Sequence, residues 1–532
     1  MRTSIFLVLF VLLTGCVALA LLWSGVWLAV ALVLILLGIA MFDATQRRHS
    51  ILRNFPLLGR VRYLFEMIRP EIQQYFVEAD TDGLPFNRER RSVVYQRAKK
   101  AMDTLPFGTQ LDVYAPGYEW ISHSFMAKHP SATAPRVLIG GDTCKQPYSS
   151  SLLNIAAMSY GSLSANAVEA LNRGARDGGF AQNTGEGGAA PFHLNPGGDL
   201  IWQIGTGYFG CRDADGKFDQ EKFQEAAKHP SIKMIEIKLS QGAKPGHGGI
   251  LPGAKVTEEI AEIRGVPIGK DVLSPPTHSA FRTPVEMLHW IEKLRKLSGG
   301  KPVGFKLCVG RMDEFMVLCM AMRSSGKHPD FIVVDGGEGG TGAAPLEFSN
   351  SVGMPLNEGL VFVHNCLVGF ALRERIKIIA SGKVITGFDM VTKLALGADL
   401  CYSARAMMMA IGCIQARRCN ANDCPAGVAT QKKSLMQGLD VDDKAPRVHS
   451  YHEETIQSLL ELVGASGLDA PSEITPHHIM RRVQGTVVRS YFDLYPFIER
   501  GALIADPVPE AYEEVWRRAS RNQFETSMDS LS

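Results

Sequence analysis

From Thr3 to Phe42 the chain carries no charged side chain. As one helix that run would reach about 60 Å at 1.5 Å per residue, twice the roughly 30 Å hydrocarbon core of a bilayer. It therefore reads as two spans, residues 4–22 and 26–42, with Ser24 and Gly25 turning between Trp23 and Trp27, whose rings suit a membrane interface. Arg2 stands before the first span, and Arg47, Arg48 and Arg53 follow the second. The positive-inside rule then puts both ends in the cytoplasm. The expectation is a two-span inner-membrane hairpin with a cytoplasmic body. A cleaved signal peptide would have a far shorter apolar region ending in a small-residue site. Residues 51–71 show amphipathic helical spacing with basic side chains. That pattern suits either a helix on the membrane surface or an ordinary packed helix.

Between about 150 and 410 the period changes. Short apolar runs alternate with helical patterns: 153–157, 180–183, 200–204, 234–239, 303–307, 331–335, 376–380 and 399–402. Eight such runs separated by helices predict a (β/α)₈ TIM barrel, with 200–204 the least distinct strand. A doubly wound sheet is the alternative, but no GxGxxG opens a first βα unit. Polar and glycine-rich residues follow the runs, where barrel chemistry resides. Among them are Met158-Ser159-Tyr160-Gly161, the stretch 183–188, Gln241-Gly242-Ala243-Lys244, the stretch 335–342 and Ser381-Gly382. The organisation expected is a membrane hairpin (1–45), a cytosolic segment packing on the barrel (46–135), the barrel with a cysteine segment (136–435), and a helical extension (436–532).

Charge changes the picture little: the formal net charge is +2, which argues against a nucleic-acid surface. The cysteines matter more. Seven of the ten are scattered, as buried small hydrophobes of a reduced, cytosolic body would be. The other three form Cys413-x5-Cys419-x4-Cys424, followed by Pro425. Zinc wants a fourth ligand, and none stands nearby. Three thiolates before a proline suit an iron–sulfur cluster, [3Fe–4S] or else [4Fe–4S] with a non-cysteine fourth ligand.

Several single residues invite chemistry. Lys306 interrupts an otherwise apolar run, and a lysine inside a barrel is costly without an anion. A flavin ring, which becomes anionic on reduction, would use its charge. Glycines after the sixth to eighth runs allow backbone N–H groups to approach a phosphate, near Ser381-Gly382 and Ser403-Ala404-Arg405. Gln241 and Lys244 are spaced as donors toward a carboxylate, and Glu186 sits in a glycine-rich loop where a proton-transfer group would fit.

At these residues, over about 100–480, the chain resembles the FMN-binding domain of glutamate synthase. The matching stretches include Ala156-Ala157-Met158-Ser159-Tyr160-Gly161, 183–188, Gln241-Gly242-Ala243-Lys244-Pro245-Gly246, Ser274-Pro275-Pro276, Gly339-Gly340-Thr341-Gly342, and 412–431. The resemblance implies a barrel holding FMN and a [3Fe–4S] cluster. It implies hydride delivery to 2-iminoglutarate, made from 2-oxoglutarate and ammonia. It makes Cys413, Cys419 and Cys424 the cluster ligands. FMN contacts would come from Met158, Ser159, Lys306, Gly339, Gly340, Thr341, Gly342, Ser381, Gly382, Ser403 and Arg405. Gln241, Lys244 and Arg264 would meet the substrate carboxylates, and Glu186 would be the loop acid.

Three departures shape the expectation. A membrane hairpin stands where the family has its glutaminase domain, so ammonia is expected free or from a partner. The family's C-terminal β-helix pattern does not follow the cysteines. His247 and Ile250 replace the Glu and Gln of the family's Glu-Gly-Gly-Gln, which bears on the substrate. The function expected is glutamate formation with electrons from a separate donor, a ferredoxin or a flavoprotein. The alternatives are an FMN barrel acting on another 2-oxo acid or an N-substituted amino acid, and a membrane-tethered electron-transfer subunit.

Overall fold

A computed structural model of the chain describes residues 2–101, 104–129 and 133–521. The chain divides into two compact units, 1–88 and 89–532.

In the first unit, helices Arg2–Ala20 and Trp27–Thr45 pack on each other, joined through a short helical turn at Ser24–Val26. Each is long and apolar enough to cross a bilayer. The amphipathic stretch that follows forms two helices, Ser50–Asn54 and Leu58–Ile72, where the sequence suggested one. The break falls at Pro56 and at Leu57, whose φ of +64° lies outside any right-handed helix.

The second unit is built on a closed sheet. Its strands are β1 (Leu153–Ile155), β2 (Gln182–Asn183), β3 (Leu200–Ile204), β4 (Ile232–Lys238), β5 (Val303–Leu307), β6 (Phe331–Asp335), β7 (Lys377–Ser381) and β8 (Leu400–Ser403). All neighbours are parallel, β8 pairs with β1, and β4 pairs with β5, so no edge is left. The apolar runs form strands because parallel strands are covered on both faces. Phe331, Ile332, Val333 and Val334 are accordingly all inaccessible to solvent. All eight expected strands are present, and the fold is a (β/α)₈ barrel.

Helices follow each strand, started and stopped by local signals. Ala165–Gly178 is capped by the Ser164 side chain, which accepts from the Ala167 N–H, and ends at left-handed Gly179. Below β1, an antiparallel pair, Val137–Ile139 with Tyr148–Ser150, closes the N-terminal end of the barrel. Ile139 and Tyr148 join Ile201, Met234, Phe331, Val333, Ile379 and Leu400 in one buried apolar layer.

Around the barrel, helix Val441–Ala465 lies so close on Ala165–Gly178 that a Cβ on Gly174 would meet the Ala445 carbonyl at 2.6 Å. The segment after 436 is helical only in part. Between Val441–Ala465 and Glu510–Arg521 runs a hairpin, Ile479–Gln484 with Val487–Ser490, whose first strand pairs with Glu119–Ile121.

The carboxylate of Asp330 ties three elements together below the barrel. Its Oδ2 accepts from the Val303 N–H at 2.8 Å and from Arg295 Nε at 3.0 Å, both on buried partners. Replacing Asp330 with Ala strands the Arg295 charge and is expected to cost about 3–5 kcal/mol. Urea unfolding of the detergent-solubilised chain, followed by circular dichroism, reads this directly. An unchanged midpoint would contradict it.

Candidate active site

Side chains two apart on a strand share a face. On β4, Met234, Glu236 and Lys238 therefore climb the barrel interior together, and on β6 Phe331, Val333 and Asp335 do the same. Met234, Phe331 and Val333 belong to the apolar floor. One step higher the lining turns polar. Gln203 Nε2 donates to Glu236 Oε1 at 2.6 Å, and Lys306 Nζ pairs with Asp335 Oδ2 at 3.2 Å, all of them buried. Burial pulls the Lys306 ammonium down, but Asp335 and then Glu236 outweigh it and hold it above its ordinary value. Burial pushes the Glu236 carboxyl up. Asn183 and the Tyr402 hydroxyl are buried against the same carboxylate, so the polar layer is closed by its own members.

At the mouth the strand-end loops interlock. Asp335 Oδ2 accepts from the Gly242 N–H at 2.9 Å, and the Ala243 N–H donates to the Gly337 carbonyl. A side chain on Gly242 would strike the Gly336 carbonyl, so this approach requires glycine. Gln241, part-buried, stands at the root of that loop.

Glu186 is not a free loop carboxylate. Lys238 Nζ pairs with its Oε1 at 2.7 Å. Burial would raise Glu186, but Lys238, then Lys244 and Arg264, hold it below the usual carboxylate range. Gly249 lies against the same carboxylate. Arg264, at the end of helix Glu258–Arg264, donates from Nη2 to the Tyr160 carbonyl at 2.9 Å and to Ser159 Oγ at 3.3 Å. It lies over the Phe209 ring, and its Nε has no hydrogen-bond partner. Burial lowers it to about 10. Burial, and then the charge of Lys238, bring Lys244 down to about 8. Three cations thus surround one carboxylate, leaving an excess of positive charge suited to a small polyanion. His247 and Ile250 stand in the next loop. The His247 ring meets the Phe348 ring edge-on, and Ile250 begins a short strand paired with Val272–Leu273.

A second cationic corner lies at the ends of β6, β7 and β8. Arg405 Nη2 donates to the Glu338 carbonyl at 2.9 Å, and a Cβ on Gly340 would meet Arg405 Nε at 2.9 Å. Gly382 has φ +145° and lies over Gly336. Burial, and then Arg405, depress the ammonium of Lys383. Glycines opening space beside two crowded cations fit a phosphate. Gly339 and Ser381 sit in the same corner: Gly336 N–H donates to the Ser381 carbonyl, and Gly339 N–H to the Gly336 carbonyl. Thr341 and Gly342 continue that loop, and Thr341 Oγ1 donates to the Ala343 carbonyl. The Ser403 hydroxyl is already engaged, donating to the Val384 carbonyl at 2.6 Å. Met158 and Ser159 are buried at the end of β1.

The cysteine segment follows β8 and its helix, Arg405–Ala410. Gly412, Gln415, Arg417 and Asn422 all have positive φ, giving a tightly folded loop. Asn422 fastens it, donating to the Ala254 carbonyl and accepting from the Gln431 N–H, both at 2.7 Å. Gln431 Nε2 reaches the Leu163 carbonyl at 2.8 Å, so the loop is fixed beside the β1 loop that carries Ser159. Burial, and then Cys419 and Cys424, push the Cys413 thiol up to about 12. Burial, and then the neighbouring Cys424, also push the Cys419 thiol up. Among the described residues, no three His, Cys, Asp or Glu converge closely enough for a single metal ion.

Sequence reasoning did not single out Lys238, Glu236, Asp335 or Lys383. Glu236 carried the same signal as Lys306, a charge inside an apolar run. Lys383 follows Ser381-Gly382 directly.

A (β/α)₈ barrel whose mouth gathers two groups of crowded cations and a cysteine segment has the layout of a barrel enzyme. A family model, "Conserved region in glutamate synthase", matches residues 130–469. The glutamate synthase large subunit-like protein YerD of Bacillus subtilis is 40% identical over 84% of this chain and 92% of its own length. An archaeal glutamate synthase [NADPH] of Methanocaldococcus jannaschii is 36% identical over 59% of each chain. The ferredoxin-dependent glutamate synthase 2 of Synechocystis is 36% identical, but the match spans only 15% of that protein. A crystal structure of mandelate oxidase with (S)-2-phenylpropionate aligns over 75% of this chain and 98% of that one at 14% identity and a TM-score of 0.42, too faint to bear on the site. The chain belongs to the glutamate synthase family, and it is an oxidoreductase acting on amino-acid donors.

Lys244 carries a pH prediction. Its charge is present below about pH 8 and is lost above it. Affinity for a dicarboxylate such as 2-oxoglutarate is expected to hold below that pH and to fall about tenfold per unit above it. Calorimetric titration across this range, with Lys244→Gln as the variant that flattens the slope, decides the point.

Proposed function

We propose that this chain is a membrane-tethered glutamate synthase that reduces 2-iminoglutarate, formed from 2-oxoglutarate and ammonia, to glutamate. The observation that carries the reading is the excess of positive charge that Lys238, Lys244 and Arg264 place around Glu186 at the barrel mouth. Two substrate carboxylates would offset that charge. Gln241, at the root of the same loop, would add a neutral donor.

FMN fits the barrel as built. Its phosphate would lie among Gly339, Gly340, Thr341, Gly342, Ser381, Gly382, Lys383 and Arg405, with the backbone at Ser403, and its ring would lie near Lys306, Met158 and Ser159. The three thiols of Cys413, Cys419 and Cys424, half-buried at Cys413 and Cys419 and buried at Cys424, would hold a [3Fe–4S] cluster, with [4Fe–4S] the rival. Together these groups supply a hydride carrier that an external donor, a ferredoxin or a flavoprotein, recharges by single electrons.

The chain's own residues set the rest. Lys306, kept cationic by Asp335 and Glu236, faces developing negative charge from within the barrel. Glu186, kept ionised by Lys238, would accept a proton released as ammonia adds to the substrate. Arg264 orients a carboxylate and is itself fixed by Ser159 and Tyr160. The two apolar N-terminal helices would anchor the enzyme in the inner membrane with the barrel in the cytoplasm. Domain limits of 1–45, 46–135, 136–435 and 436–532 belong to this proposal.

A second reading rests on Ile250, an apolar residue next to the glycine that backs Glu186. It favours another 2-oxo acid or an N-substituted product. Turnover with 2-oxoglutarate and either ammonia or methylamine separates the two.

Purified, iron-replete chain is expected to show flavin absorbance and the EPR signal of an oxidised [3Fe–4S] centre. Cys419→Ser should abolish that signal, and its survival would remove Cys419 from the ligand set. Lys306→Met should weaken FMN binding about tenfold or more. Flavin fluorescence titration with unchanged affinity would refute the role given to this lysine.

A further inference from the structure

The helix after the hairpin is unusual for a soluble surface. Leu58, Val61, Phe65, Ile72 and Phe76 recur at helical spacing, with part-buried Ile68 in the same series. These side chains lie open, Phe65 at 59% and Phe76 at 85% exposure. By helical geometry Arg69 and Arg62, the latter also paired with Glu66, flank one edge of the stripe, and exposed Leu64 widens it on the other. The helix is also fixed in place. Asp43, in the last turn of Trp27–Thr45, is fully buried. It accepts two bonds from Arg60, at 2.7 Å from Nη2 and 2.9 Å from Nε, and a third from the Leu57 N–H at 3.1 Å. That clamp joins the start of Leu58–Ile72 to the end of the hairpin. The hairpin's own surface there is equally apolar, with Met41 and Phe42 more than half exposed.

We propose that helix Leu58–Ile72 lies in the headgroup layer of an anionic bilayer, its apolar stripe among the upper acyl chains and its arginines at the phosphates. The inference rests on the reading that the hairpin spans a membrane. Lipid is the occupant because the stripe continues the exposed apolar surface of the hairpin and is bordered by cations. Long arginine stems reach up from an apolar face to phosphate, and anionic lipid strengthens such binding. Arg47, Arg48 and Arg53 add positive charge at the same level of the sequence. The helix would fix how the first unit meets the bilayer, where the hairpin alone would leave rotation free.

The test uses the full chain in vesicles of phosphatidylethanolamine with phosphatidylglycerol. The photo-reactive residue p-benzoylphenylalanine is placed singly at Phe65, Ile72, Tyr63, Glu66 or, as a hairpin control, Leu34. Lipid adducts are expected at Phe65 and Ile72 as at Leu34, and about tenfold fewer at Tyr63, on the opposite face, and at Glu66, beyond the arginine edge. Arg62→Gln combined with Arg69→Gln should remove the dependence of the Phe65 adduct on phosphatidylglycerol. Adducts at Leu34 but not at Phe65, equal yields at Phe65 and Tyr63, or Phe65 adducts to a second protein chain would each overturn the inference while leaving the membrane hairpin standing. Absence of adducts at Leu34 would overturn the hairpin reading together with it.

Discussion

Everything at the barrel mouth depends on burying charge inside a closed sheet. Lys306 lies buried inside β5, and its ammonium is tolerable there because Asp335 and Glu236 face it. Asp335 also accepts from the Gly242 N–H, so the anion that keeps the lysine charged is the one that draws the β4 loop across onto the β6 loop. Charge balance in the interior and loop placement at the mouth are therefore one constraint.

The same logic explains the two cationic regions above. A carboxylate pinned by one lysine, with a second lysine and an arginine close by, is an unfinished set of charges. So is a corner where Lys383 and Arg405 crowd each other beside glycines. Both lie over the C-terminal ends of strands, where loops are free to vary while the apolar floor of Met234, Phe331 and Leu400 keeps the frame rigid. The cysteine loop is fastened to the β1 loop through Asn422 and Gln431, and so stands beside Ser159, the residue that steadies Arg264. The Glu186 region and the cysteine loop thus share one wall.

The N-terminal unit presents a different kind of surface. Its exposed leucines, valines and phenylalanines would be a liability in water and are ordinary in lipid. Among its described residues the one fully buried charge, Asp43, is engaged by Arg60 and by the Leu57 N–H.

By itself the sequence determined whatever depends on near neighbours. Short apolar runs marked all eight strands, including 200–204. Glycine after a strand marked the loops, and spacing alone singled out Cys413, Cys419 and Cys424. An uncharged run marked the two N-terminal helices. Tertiary structure decided the partnerships: Lys238 with Glu186, Asp335 with Lys306, Lys383 beside Arg405, and the β-hairpin inside a tail that read as helical. These pairs lie tens of residues apart, and no local period records which charge will face which. Closure of the barrel brings them together, because only a closed sheet turns the ends of distant strands toward one another.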